Sequence, residues 1–287
     1  MIDFVRLNAD VLIPEEAFVI SKWRKRALMD GTEICVHHNN GVWIRYYPEL
    51  YRMTISGKLL MLLEASEVLN VDDVYGADIP QFIDDLNEYL NALFLYPVID
   101  VREFHVTRID YCYNVKTPHV KAYLDFLNKA FRLTSRGQRI NYVQEKGLTG
   151  SVYIKTSSDY KRNERRNYVL NFYDKTDRLH YLQRENKHAV ADHDWAYAQG
   201  VLRLEIQCGF HVIKQICKAF DIKPYFGDLL RHEISLYAEA TIYGRVFRFI
   251  FICCHFPLCF ELIIHPDRTV YFDSFFYGGL PKWHITS

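Results

Sequence analysis

Strand-like runs of apolar, β-branched and aromatic residues dominate the pattern of the chain: Phe4 to Leu7, Glu33 to Val36, Val42 to Tyr47, Tyr51 to Ile55, Phe104 to Val115, Ser151 to Thr156, Tyr168 to Lys175 and Val201 to Cys208. Bounded by turn residues, each predicts a β-strand. Three segments instead follow helical spacing. Ile79, Phe82, Ile83, Leu86, Leu90, Leu93 and Phe94 share one stripe of a helix over 79–95, Val120, Tyr123, Leu124, Leu127 and Phe131 share another over 120–131, and Phe210 to Phe220 forms a third. The order predicts an α+β protein with twisted, largely antiparallel sheets and helices packed on one face. Arg108-Ile-Asp110 and Arg203-Leu-Glu205 end corresponding strands and hint at two similar halves. Residues 1–240 are read as the functional region, in one lobe or two similar ones. Residues 241–287 are read as an aromatic-rich segment with no assigned role. The apolar run Val246 to Ile264 is interrupted by Arg248, His255, Pro257 and Glu261. It is expected to form buried strands, since a spanning helix needs about 20 mostly apolar residues.

Composition narrows the class further. The chain has 287 residues, of which 49% are hydrophobic, with 35 basic and 35 acidic side chains, values that exclude disordered, collagenous and coiled-coil chains. Seven cysteines, an odd number with no Cys-x-x-Cys pair, and an N-terminus without a signal-peptide pattern predict reduced thiols in a cytoplasm. Overall neutrality hides an uneven distribution. Residues 60–104 hold ten acids and one base, whereas residues 121–187 hold fifteen bases and seven acids. A field of one sign over one region attracts a polyanion. The polar, basic stretch Ser157 to Arg166 reads as a hairpin loop able to follow a phosphate backbone through Lys161, Arg162, Arg165 and Arg166, with Lys155 on the strand before it.

Alternate side chains of a strand share a face. Arg108, Asp110, Cys112 and Asn114 therefore lie together, as do Arg203, Glu205 and Gln207, and as do Asn171, Tyr173 and Lys175. If the three strands are neighbours, one surface presents two carboxylates, a tyrosine and a lysine. Two carboxylates can hold a hard divalent cation, Mg²⁺ or Mn²⁺, that neutralises a phosphate, while a phenolic oxygen attacks phosphorus and forms a covalent ester. Tyrosine titrates near 10, so Lys175 or the cation would have to stabilise the phenolate. The same spacing also suits two structural Arg–acid pairs with Tyr173 as an ordinary packing residue. Other chemistries have no anchor: there is no phosphate-binding glycine loop, no dinucleotide fingerprint and no Cys/His zinc spacing. His37 and His38 are adjacent and would face opposite ways on a strand.

Five blocks carry a family resemblance: Met1-Ile-Asp-Phe, Tyr51-Arg-Met-Thr-Ile-Ser-Gly-Lys-Leu-Leu, Val106-Thr-Arg-Ile-Asp-Tyr, Leu170-Asn-Phe-Tyr-Asp-Lys and Val201-Leu-Arg-Leu-Glu-Ile-Gln. In this order they resemble the filamentous-phage gene II/X-type replication initiators, and they are similar to plasmid rolling-circle initiators and to relaxases of conjugative elements. The resemblance covers roughly residues 1–220. It implies a metal-dependent enzyme that nicks one strand at an origin, stays attached to the 5′ end through tyrosine, and later rejoins the strand. Tyr173 would be the nucleophile, Lys175 its partner, and Asp110 and Glu205 the metal ligands, with Arg108 and Arg203 on the DNA beside them. The implied partners are origin DNA, single-stranded or extruded from duplex, the host helicase and polymerase, and a second copy of the chain, with no membrane. A relaxase acting at a transfer origin, or a DNA-binding regulator without catalysis, would carry the same blocks.

Overall fold

Ten strands form one antiparallel sheet: β1 (Ile2–Asp10), β2 (Arg24–Ala27), β3 (Glu33–Asn39), β4 (Val42–Tyr47), β5 (Arg52–Gly57), β6 (His105–Lys116), β7 (Gln138–Val143), β8 (Ser151–Thr156), β9 (Tyr168–Asp174) and β10 (Val201–Gly209). They lie in the order β2-β3-β4-β5-β1-β6-β10-β9-β8-β7. The computed structural model describes residues 2–238 apart from 65, 77, 135–137, 144–149, 157–167, 185–189, 232 and 236. The expected loop Ser157 to Arg166 and all of residues 241–287, including Val246 to Ile264, lie outside the described residues.

Local chemistry explains the joints. Asn40 and Gly41 both take positive φ, 45° and 78°, which is the Asn-Gly hairpin turn that matches strand twist between β3 and β4. Gly57 ends β5 at φ 148°, and a Cβ there would sit 2.8 Å from the Val42 Cα. Gly57→Ala is therefore expected to lower the unfolding free energy by about 1–3 kcal/mol, read from urea denaturation, and a neutral result would refute the close approach.

The helices are α1 (Leu60–Leu63), α2 (Val71–Tyr75), α3 (Ile79–Asn91), α4 (Val120–Thr134), α5 (Lys175–Arg184), α6 (Asp192–Ala198), α7 (Phe210–Phe220) and α8 (Phe226–Leu229). Asp78 caps α3 by accepting from the Gln81 backbone N–H, and Phe82, Ile83, Leu86 and Leu90 form its buried stripe. With Leu124 and Leu127 of α4 and Val212, Ile213 and Ile216 of α7, this stripe covers the apolar sheet face, including Val5, Leu7, Ile44, Ile55, Ile109, Phe172 and Ile206. The three long helices thus pack on one face, as their periodicity predicts. A smaller cluster, Val68, Leu179, Leu182 and Ala198, joins α5 and α6 to the connection between α1 and α2. That connection reaches the opposite face, where the Val68 carbonyl and the Asn70 side chain meet Arg203 and Cys112.

Two strands escape the hydrophobic pattern. β2 is Arg-Lys-Arg-Ala and wholly exposed, an edge strand whose charges discourage further pairing. β7 packs at the opposite edge, beside β8. The run expected to continue as strand through Lys175 stops at Asp174, because Asp174 Oδ1 accepts from the Thr176 backbone N–H and starts α5. His37 and His38 do face opposite ways: His37 bonds the Lys22 carbonyl, and His38 stacks on Trp43.

Candidate active site

The three strands that carry the expected residues are neighbours, in the order β6-β10-β9. Register places Asp110 opposite Gln207, Cys112 opposite Glu205, and Arg203 opposite both Asn114 and Tyr173. Partners across a ladder share a face, so the alternation read from the sequence brings Asp110, Glu205 and Tyr173 onto one surface. The two Arg-x-acid triplets are related by an approximate two-fold through the Tyr111–Ile206 pair.

Tyr173 is 7% exposed, and its hydroxyl donates to Glu205 Oε2 at 3.2 Å. Gln207 Nε2 donates to Glu205 Oε1 at 2.9 Å. Burial holds the Tyr173 phenol well above its ordinary 10, while the Arg203 charge works in the other direction and Glu205 adds to the rise. The hydroxyl therefore keeps its proton until a base takes it, and Glu205 is the carboxylate in hydrogen-bond contact.

Arg108 forks onto Asp110, with Nε 2.8 Å from Oδ1 and a second contact to Oδ2, and its guanidinium lies 4.5 Å from the Phe4 ring centre. Burial pushes the Asp110 carboxyl up to about 8, against the pull of the Arg108 hydrogen bonds and with Glu205 adding to the rise.

Arg203 is 0% exposed. Its NH2 group lies 2.5 Å from Asp3 Oδ1, and NH1 donates to the Val68 carbonyl and Asn114 Oδ1, each at 3.3 Å. The expectation that Arg203 contacts DNA is corrected by this burial: a guanidinium closed off by Asp3 and Val68 cannot reach a phosphate backbone. It acts instead as the cation whose field reaches the tyrosine hydroxyl. Lys175 is also buried, with Nζ 5.9 Å from the Tyr173 ring centre, over the ring rather than at its oxygen. Burial first, then Arg203 and Lys58, bring its ammonium down to about 7, against the attraction of Asp3. Lys58 shares Asp3 at 3.7 Å, and burial lowers its ammonium too. Asp3 is held below the usual carboxylate range: burial alone would raise it, but Arg203, Lys58 and Lys175 together pull it down.

Asp3 and Lys58 are the site residues that strand alternation did not single out. Both stand in the blocks that carry the family resemblance, so all five blocks supply side chains to one spot. Of the other expected DNA contacts, Arg108 is partly exposed beside Asp110, and Lys155 sits on β8 in the register row of Val169, Gln207 and Asp110. Lys161, Arg162, Arg165 and Arg166 lie outside the described residues. Asp174, the acid nearest Tyr173 in sequence, is used in starting α5.

Two buried carboxylates on one face are donors that a hard divalent cation takes. Among the described residues they are not joined by a third His, Cys, Asp or Glu, and Arg108 already covers both Asp110 oxygens. The donor set fits a cation only as two ligands, with Arg108 giving way.

Fold and site together define an α+β protein in which one polar sheet face holds a tyrosine between buried carboxylates and buried cations. The chain belongs to the family described by the N-terminal region of the phage replication-associated gene II protein, whose model matches residues 36–223, about two thirds of the chain. It is a replication initiator of the phage gene II type, as the sequence blocks implied, and a family with that role binds origin DNA. No curated protein and no solved structure matches the chain. Among the described residues no helix is long and apolar enough to cross a membrane.

Proposed function

We propose that the chain nicks one strand of a phage replication origin and rejoins it through a covalent link to Tyr173. The observation that carries this reading is the Tyr173 hydroxyl bonded to the Glu205 carboxylate on the face that also holds Asp110. In the forward step the phenolic oxygen bonds to phosphorus, the bond from phosphorus to the 3′ oxygen breaks, and the phenolic proton passes to Glu205. The departing 3′ oxygen takes up a proton, and the 5′ phosphate remains as a tyrosyl ester. Rejoining reverses each transfer. Arg203, already buried beside the ring, faces the negative charge as it develops, which costs less reorganisation than water would. Lys175, poised near neutrality, gains a reason to hold its proton once phenolate appears beneath it.

A divalent cation, Mg²⁺ or Mn²⁺, held by Asp110 and Glu205 would supply charge neutralisation at the phosphate. Asp110→Asn and Glu205→Gln keep shape and remove charge. Each is expected to weaken metal binding, measured by calorimetry on the DNA-free protein, by at least the roughly 10–100-fold that loss of a supporting partner costs. Nicking of supercoiled origin DNA should then need more metal or stop. Unchanged metal affinity with a lowered melting temperature would instead identify Asp110–Arg108 as a structural pair.

The burial of Tyr173 favours a second reading, a DNA-binding regulator of replication that does not cut. The two separate in one assay: incubation of the protein with labelled single-stranded origin DNA and divalent metal, followed by denaturing electrophoresis. A protein–DNA adduct supports the nickase, and binding without an adduct supports the regulator.

A further inference from the structure

The polar face does not stop at the acids. A single cross-strand row runs from His38 on β3 to Trp43 on β4, Ser56 on β5, Arg6 on β1 and Arg108 on β6. The parallel row beside it runs Arg24, Val36, Arg45, Thr54 and Asn8. At the β3 end of the first row His38 stacks on the Trp43 indole with ring centres 4.0 Å apart, and the guanidinium groups of Arg45 and Arg26 lie 5.1 and 5.9 Å from the indole. Arg6, Arg24 and Arg26 are exposed and Arg45 is partly so. Among the described residues none of the four has a carboxylate partner. The accumulated charge is felt by His38, whose imidazolium is disfavoured by partial burial and by His37, Arg26, Arg24 and Arg45.

Arginines without carboxylate partners around a stacked aromatic pair, on an open sheet face, match a particular ligand. The positive field selects a polyanion. The rings select one whose planar groups are free to stack, and the broad face of a ten-stranded sheet cannot enter a duplex groove as a helix can. Three strand spacings separate β4 from β6, about 14 Å, so a strand lying on Trp43 reaches Arg108 along one row, with Asp110 two residues further along β6.

We propose that the face of β2, β3, β4, β5 and β1 is the track for single-stranded DNA flanking the scissile phosphate, with bases stacked at Trp43–His38 and phosphates on Arg6, Arg24, Arg26 and Arg45. This rests on the nicking reading for where the strand leads, but it is measured by binding alone. It also sets the DNA path on the half of the sheet remote from the basic segment 121–187.

The test is binding of the full chain to single-stranded origin and random-sequence oligonucleotides across a salt titration. Each phosphate neutralised adds about 0.7 to the slope of log affinity against log salt, so the combined Arg24→Ala, Arg26→Ala, Arg45→Ala variant should flatten it by about 2 with both oligonucleotides. Trp43→Ala should weaken binding roughly ten- to hundredfold, and Trp43→Phe, which keeps a ring and guards against a folding defect, should retain most of it. An unchanged slope in the triple variant overturns the proposal, as does wild-type binding to anionic phospholipid vesicles but to neither oligonucleotide. If the slope flattens while no protein ever forms an adduct, the track stands and the nicking reading falls. If the wild type forms an adduct while the triple variant binds normally, the reverse holds.

Discussion

Tyr173→Phe is expected to bind origin DNA as the wild type does and to form no covalent adduct with it. The substitution removes one oxygen from a buried ring. Packing against the sheet is preserved, and Glu205 keeps its hydrogen bond from Gln207, so the structural cost is about the 1 kcal/mol of one hydrogen bond. The chemical loss is complete, because no other atom of the side chain can form the ester. Because burial holds the phenol proton tightly, attack depends on the base in contact with it. Glu205→Gln should therefore slow adduct formation by roughly the 10²–10⁴-fold typical of a lost general base, measured in single turnover. An adduct of normal yield from the Tyr173→Phe protein would move the nucleophile to another residue. Normal rates from Glu205→Gln with a lost adduct in Tyr173→Phe would leave the nucleophile and remove Glu205 as its base.

The largest effect on stability is expected at Asp3→Asn. Arg203 is wholly buried, and Asp3 is the carboxylate in contact with its guanidinium. Removing one partner of a buried pair leaves an uncompensated charge and typically costs about 3–5 kcal/mol. The pH dependence follows from the direction of the Asp3 shift. Its carboxyl lies below the ordinary 3.8 in the folded chain, so its contribution is fully present above that value and is lost as pH falls toward the folded one. The gap between wild type and Asp3→Asn should thus close in acid. Pairing the change with Arg203→Met should recover part of the loss, because an apolar replacement of both partners leaves no stranded charge. A loss below about 1 kcal/mol in the single variant would mean that Lys58 and Arg203 do not depend on Asp3.

Alternation of side chains was enough to put Asp110, Glu205 and Tyr173 each on the polar side of its strand, because a period of two admits no other arrangement once the apolar residues turn inward. The same logic separated His37 from His38 before either contact was visible. It could not supply the partners. Asp3 and Arg203 are 200 positions apart and meet only because β1 and β10 both flank β6, a neighbourhood that no local pattern encodes. For that reason Arg203 read as a DNA contact and is instead a buried cation. Charge counting by segment is local in the same way: it weighted residues 121–187 and could not see that the arginines of β2, β4 and β1, scattered over Arg6 to Arg45, come together on one face once the strands pair.

The sequence by itself determined the α+β class, the central strands and the three long helices of the core, the family and the polar face on which Asp110, Tyr173 and Glu205 lie, because these follow from short-range periodicity and from ordered motifs. Only the tertiary structure decided which charges are buried together, where Lys175 stands relative to the phenol, and that the Trp43 surface runs on into the acids. Those outcomes depend on strand order and register, which bring together residues with no relation along the chain and set the solvent exposure from which their electrostatics follow.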